Sequence, residues 1–176
     1  GVLTVAQIAE NYPLGTNYYI AEVGASYKWI VEAFGGTYFH LDPDETVISP
    51  FPDYSLATDG ELPSSIISTT VGALEPLLKR GASKDVEHHI VSVSERLMQA
   101  MYAAYDETET ADKAPNLGTF YETVELLSNA FEGAQAKAAK TIEENLHSFL
   151  SSTTGARFTQ PNSLDFNAGI VGVDFK

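Results

Sequence analysis

The 176-residue sequence contains no cysteine, which removes disulfides and thiolate metal sites from consideration. It is also poor in positive charge: 10 Lys+Arg stand against 24 Asp+Glu, a formal net charge of −14. The basic residues are scattered, and Lys79-Arg80 is the only adjacent pair. Phosphate backbones are bound by clustered cations that displace counterions. Direct nucleic-acid binding is therefore not expected, nor is docking on an anionic membrane surface. No apolar run approaches the roughly 20 residues needed to cross a bilayer, so no transmembrane segment is expected. No signal peptide is recognisable, but the start at Gly1 looks arbitrary, so that absence carries little weight. With 44% hydrophobic residues the chain can bury a real core. The expectation is a cytoplasmic globular piece, one domain or a fragment of a larger one.

Several catalytic signatures are missing as well. There is no G-x-S-x-G elbow and no H-E-x-x-H helix. A P-loop needs G-x-x-x-x-G-K-[ST], whose amides cradle phosphates while the lysine reaches the terminal oxygens. The chain has none, and neither "GGTYFH" nor "FNAGIVGV" substitutes for it. No apolar run ends in Asp-Glu, as the second Mg²⁺-binding motif of such enzymes requires. A Ser-His-Asp constellation assembled only by folding stays open.

What is present has a clear order. "LTVAQIAENY" carries Leu3, Val5, Ile8 and Ala9 at helical spacing, and Pro13-Leu14-Gly15 ends it. Asn17–Val23 is a β-rich run, "ASYKWIVEAF" resumes the helical period, and "TYFHL" is a second short strand. Gly35 stands where a left-handed helix C-cap is expected. A strand, a helix and a strand make a βαβ unit, which implies a parallel sheet. A turn-rich loop, Asp42 to Leu62, follows. Helical periodicity then runs through Pro63–Leu78, Lys84–Tyr105, Gly118–Phe131 and Ala134–Leu150. Pro63 is expected at N1 of the first of these, Gly72 and Pro76 are expected to break or kink it, and Ser83 is expected to cap the second. Asp106–Asn116 reads as a polar linker. From Ala156 the composition returns to strand, with Ile170–Phe175 a buried strand. The fold class is thus α/β: residues 1–50 form the α/β part, 63–150 a large helical insertion, and 156–176 the return to the sheet.

Three groups of residues invite a chemical reading. His40, Asp42, Asp44 and Glu45 crowd six positions, and an imidazole with carboxylates can hold Zn²⁺, Mn²⁺ or Ca²⁺. Counted from His40, however, the positions where a calcium loop needs Gly and Glu hold Glu45 and Phe51. Pro43 also breaks the strand, so a solvated turn is the preferred reading. His88 and His89 lie about 100° apart on a helix and cannot chelate one ion as an i, i+4 pair would, and His147 is remote in sequence. One of the pair is expected to face the core and the other solvent. Glu22 ends the first strand and is the only acidic residue expected at the carboxyl rim, where open α/β sheets bind ligands. A carboxylate there is either catalytic or the cap of a neighbouring helix.

One stretch carries more. Glu22-Val23-Gly24, Tyr27, Phe34-Gly35-Gly36, Tyr38-Phe39-His40-Leu41, Asp42-Pro43-Asp44 and Ser49-Pro50-Phe51 occur in that order. This resembles the TraC-like conjugative-transfer ATPases of type IV secretion systems, in which the strand after the P-loop helix ends in an acidic residue and Gly. An aromatic-headed helix, a Gly-Gly break, a short strand, an acidic turn and an Asn-Pro-Phe element follow. Ser49 departs from that Asn. "GVLTVAQIAENY" resembles the helix after the P-loop lysine, and "NAGIVGVDFK" the strand after the helical insertion. The resemblance implies an inner fragment of a partial RecA-like, P-loop NTPase-type motor domain. The parent would be a hexameric ATPase powering DNA or protein transfer and pilus assembly, working with ATP and Mg²⁺ and with other secretion components, peripheral at the inner membrane. This chain would carry no cofactor of its own and would be inactive alone. Glu22 is the one residue carried over, as a strand-end carboxylate near the γ-phosphate. Two rivals remain on the residues alone: a self-contained helical protein-interaction module, and a metal-dependent hydrolase built on residues 40–45.

Overall fold

Short runs of Tyr, Ile and Val make the strands of the sheet: Tyr18–Glu22 (β1), Thr37–His40 (β2) and Ile170–Asp174 (β3). The computed structural model describes residues 2–41, 49–104, 115–160 and 169–174. The chain divides into two units, Gly1–Thr46 with Ser163–Lys176, and Val47–Asn162.

In the first unit, helix Val2–Asn11 (α1) ends in a 3-10 turn at Tyr12–Leu14 and a left-handed Gly15. Helix Lys28–Ala33 (α2) connects β1 to β2. It is only six residues long because the chain turns at Gly35, whose φ of +69° suits glycine alone at no cost. All pairings are parallel and the order is β1-β3-β2, so the last strand in the chain is the middle one. Three rows cross the sheet on one face: Tyr18 beside Ile170, Ile20 beside Gly172 and Tyr38, and Glu22 beside Asp174 and His40. The first two rows pack on Ile8 of α1 and on Ile30 and Val31 of α2. Both glycines at the centre of this packing are steric requirements. A Cβ on Gly36 would lie 2.2 Å from the Ile170 carbonyl oxygen, and one on Gly172 would lie 2.4 Å from the Tyr38 ring.

The second unit is helical: Ser64–Leu78 (α3), Lys84–Ala103 (α4), Leu117–Leu127 (α5) and Gly133–Leu150 (α6). Helix α4 packs against the other three. Its heptad-like apolar side, Ile90, Val93, Leu97, Met98, Met101 and Tyr102, is buried. Asn116 caps α5, accepting from the Gly118 and Thr119 amides, and Thr119 returns a bond to the Asn116 amide. Asn145 donates to the carbonyls of Leu78 and Arg80, satisfying acceptors that the end of α3 leaves open. The Tyr102 hydroxyl donates to the Pro52 carbonyl at 2.6 Å and, with Gln99 donating to Gly60, ties the 49–62 segment to α4.

The architecture is a small three-stranded parallel sheet with a mostly helical body, and three local expectations change. Helix α3 runs unbroken through Gly72 and Pro76. The proline forfeits the N–H that would reach Gly72, but it sits two residues before the helix ends and the glycine offers it no side chain. Pro63 occupies the N-cap rather than N1. Ser83 stands at the N-cap of α4 as expected, though its side chain makes no cap bond. The return to strand does not begin at Ala156, because Gly155–Thr159 is a 3-10 helix whose Phe158 packs on Phe149. Within the sequence-predicted linker Asp106–Asn116, only Pro115 and Asn116 are described.

Gly172→Ala is expected to destabilise the sheet unit by about 1–3 kcal/mol through overpacking against Tyr38 and Val31. Urea unfolding followed by the fluorescence of Trp29, the chain's single tryptophan, would measure it; an unchanged midpoint would show that Tyr38 moves aside freely.

Candidate functional site

The carboxyl ends of β1, β3 and β2 place Glu22, Asp174 and His40 side by side in one row. Asp174 is buried, Glu22 half-buried and His40 exposed. In parallel sheets this rim is where ligands bind, because loops splay apart there and backbone amides turn outward.

The loop from β1 to α2 turns back onto these carboxylates. Gly24 and Ala25 both have positive φ, +98° and +57°, so successive amides face the sheet. Glu22 accepts from the Ser26 amide at 2.7 Å and the Tyr27 amide at 2.9 Å. Its Oε1 also takes the Tyr38 hydroxyl at 2.8 Å. Asp174 accepts from the Gly24 amide at 2.9 Å, and its other oxygen lies 3.3 Å from His40 Nδ1. Burial first, and then the hydrogen bond to Glu22, push the Tyr38 hydroxyl well above the ordinary tyrosine value, so it stays a donor. The rim is thus a web of two carboxylates held by backbone amides and a tyrosine hydroxyl, with an imidazole at its edge.

Glu22 therefore lies where the sequence places it, at the end of β1, and caps the start of the α2 segment. It is not the only acid at the rim: Asp174 shares its row. The sequence reading counted Asp174 as strand interior because it extended β3 to Phe175. The cue was there in Val173-Asp174, an acid following a buried apolar run. The role of Tyr38 carried no local signal, since it depends on which strands pair. Of the 40–45 cluster, His40 meets Asp174, while Asp42, Asp44 and Glu45 lie outside the described residues. Among the described residues, no group of three or more His, Asp or Glu side chains is placed to hold a metal ion. His88 is exposed and His89 half-buried on α4.

A second polar group lies on the helical unit. Tyr121 and Glu125 of α5 and Lys140, Glu143, Glu144 and His147 of α6 line an open concavity of about 360 Å³. The Tyr121 hydroxyl donates to Glu125, which pushes its pKa up to about 12, and it lies 3.1 Å from His147 Nδ1. With that proton committed to Glu125, Nδ1 must be the donor in the His147 contact. Lys140 and Glu143 pair at 2.7 Å, which raises the one and lowers the other. The lowered Glu143 contributes stability above its ordinary 4.5 that is lost as pH falls through its folded value. The raised Lys140 contributes below its ordinary 10.5, lost only as pH rises through its folded value. The pair is therefore whole at neutral pH. Glu143→Gln is expected to lower the thermal midpoint slightly at pH 7 and by progressively less as pH falls below 4.5; a shift that does not shrink on acidification would deny the pair any contribution.

No protein-family model matches the chain, and no curated protein matches it. Among solved structures it is similar to VirB4 of Thermoanaerobacter pseudethanolicus, with a TM-score of 0.50 and 11% identity. The likeness covers 98% of this chain and 46% of that one. It is a likeness of fold, to VirB4 and not to TraC specifically.

Proposed function

We propose that the chain is an inner part of the motor domain of a type IV secretion ATPase of the VirB4 and TraC kind. The observation that carries this reading is the fold likeness to VirB4 over nearly the whole chain. The order of motifs around Glu22–Phe51 supports it independently. In this reading residues 1–50, together with β3, belong to a RecA-like sheet and 63–150 to a helical insertion. The parent would be a hexamer that uses ATP and Mg²⁺ to power DNA or protein transfer and pilus assembly. It would work with other secretion components, peripheral to the cytoplasmic side of the inner membrane. Among the described residues no helix is long and apolar enough to cross a membrane.

The rim residues do not themselves fit a triphosphate. Glu22 and Asp174 present negative charge, and the loop amides that would grip phosphate are already spent on them. Phosphate affinity in such motors rests on a P-loop and its lysine, which this sequence does not contain. Glu22 would then act beside a nucleotide held by other parts of the parent, as a strand-end carboxylate. Isothermal titration of the 176-residue chain with Mg-ATP is expected to show no binding in the micromolar range and no hydrolysis. Micromolar affinity would overturn the assignment.

A further inference from the structure

The open concavity between α5 and α6 has a one-sided hydrogen-bonding inventory. Its hydroxyl and Nδ1 protons are committed within it: Tyr121 donates to Glu125 Oε1, and His147 donates from Nδ1 to Tyr121. Its one cation, Lys140, is paired with Glu143. The acceptors are not used up. Glu125 keeps its second oxygen, and Glu144 makes no hydrogen bond or ion pair among the described residues. A neutral His147 with its proton on Nδ1 also leaves Nε2 as an acceptor. Three carboxylates thus face one ammonium. Lys140 is raised first by its bond to Glu143 and further by the fields of Glu144 and Glu125, so all three carboxylates act on a cation placed here. The Tyr121 and His147 rings, with centroids 6.0 Å apart and planes tilted by 44°, give the same hollow an aromatic wall.

We propose that this concavity is a docking site for an arginine side chain carried by a basic segment of a partner protein. A planar guanidinium has five N–H donors and no acceptor, and it stacks on aromatic faces. It supplies what the lining lacks: donors for the open oxygens of Glu125 and Glu144 and for His147 Nε2, and a flat cation for the Tyr121 ring. A lysine ammonium brings a point charge without the fork or the stacking. A bare metal ion fits less well, since among the described residues no group of three or more His, Asp or Glu is placed to hold one. The volume of about 360 Å³ lies within the range of sites that enclose a side chain or a small ligand. The partner is another protein and not a second copy, because two chains of net charge −14 repel and the ten basic residues of this one are scattered. The proposal does not depend on the ATPase reading, since no nucleotide enters the site or its test.

The experiment is an NMR titration of the full chain at low salt with end-blocked Gly-Arg-Gly, Gly-Lys-Gly and Gly-citrulline-Gly peptides, and with ethylguanidinium as the head group alone. The arginine peptide is expected to shift the Tyr121, Glu144 and His147 resonances with a dissociation constant in the millimolar range, as a few exposed charge and stacking contacts allow. Its δ-methylene protons should give NOEs to the Tyr121 ring. The lysine peptide and ethylguanidinium should bind more weakly, and the uncharged citrulline peptide not measurably. Glu144→Gln should weaken arginine binding roughly two- to five-fold, and Lys140→Gln, which frees Glu143, should tighten it by a similar factor. Glu10→Gln, which removes the same charge from α1, should do neither. The Ile142 and Leu146 amides report whether the α6 variants fold; if they do not, the NOEs to Tyr121 in the unaltered chain decide alone. Equal shifts from the citrulline peptide, or an equal loss in Glu10→Gln and Glu144→Gln, would overturn the site. Tighter binding of the lysine peptide would overturn the choice of arginine. Tighter binding of ethylguanidinium, or shifts of these residues that depend on the concentration of the chain itself, would overturn the partner protein as its source.

Discussion

Everything in the sheet unit depends on β3 pairing on both sides. Strands β1 and β2 touch no common ladder except through Ile170–Asp174. The same strand supplies Ile170 to the core and Asp174 to the rim. Gly172, at its centre, is the space into which the Tyr38 ring fits, and Tyr38 in turn reaches Glu22. A single five-residue strand therefore fixes the hydrophobic interior, the register of its neighbours and the geometry of the acidic row. Parallel strands are evenly bonded but gain less per residue than antiparallel ones, so close packing at Gly36 and Gly172 is a main source of precision here.

Much of this was legible in the sequence because it rests on local chemistry. The 3.6-residue periodicity located the four long helices to within a few residues, since their apolar stripes face one another. Gly35 announced its own left-handed turn. What failed were judgements in which a tertiary setting overrides a local preference. Pro76 breaks helices in isolation, yet near the end of α3 it costs one bond. Ser83 does mark the start of α4, though its side chain makes no cap bond, while Asn116 builds a full capping box at the end of a polar stretch. Strand order was not readable at all, and with it went the role of Asp174. Which acid stands next to Glu22 is decided by a partner 152 positions away.

The acidic rim changes the meaning of Glu22. Read alone, a strand-end glutamate suggests a base waiting for a substrate. In its setting it is a structural anion whose oxygens are engaged by two amides and a hydroxyl. The helical unit, by contrast, has a core of its own and polar groups gathered on the α5 and α6 surface, so the two units answer to different demands.

The position of β3 also sets a timetable. The ribosome delivers α1, β1, α2 and β2 well ahead of β3: more than a hundred residues, among them the four long helices, separate them from Ile170. The helices close contacts that are mostly local and can form early, while the sheet must wait for its middle strand. During that interval β1 and β2 have no partner, and their unpaired edges are the surfaces through which a nascent chain associates wrongly. A cell making this protein would thus face a hazard of aggregation until Ile170–Asp174 emerges, and a chaperone that shields Tyr18–Glu22 and Thr37–His40 would serve in that window.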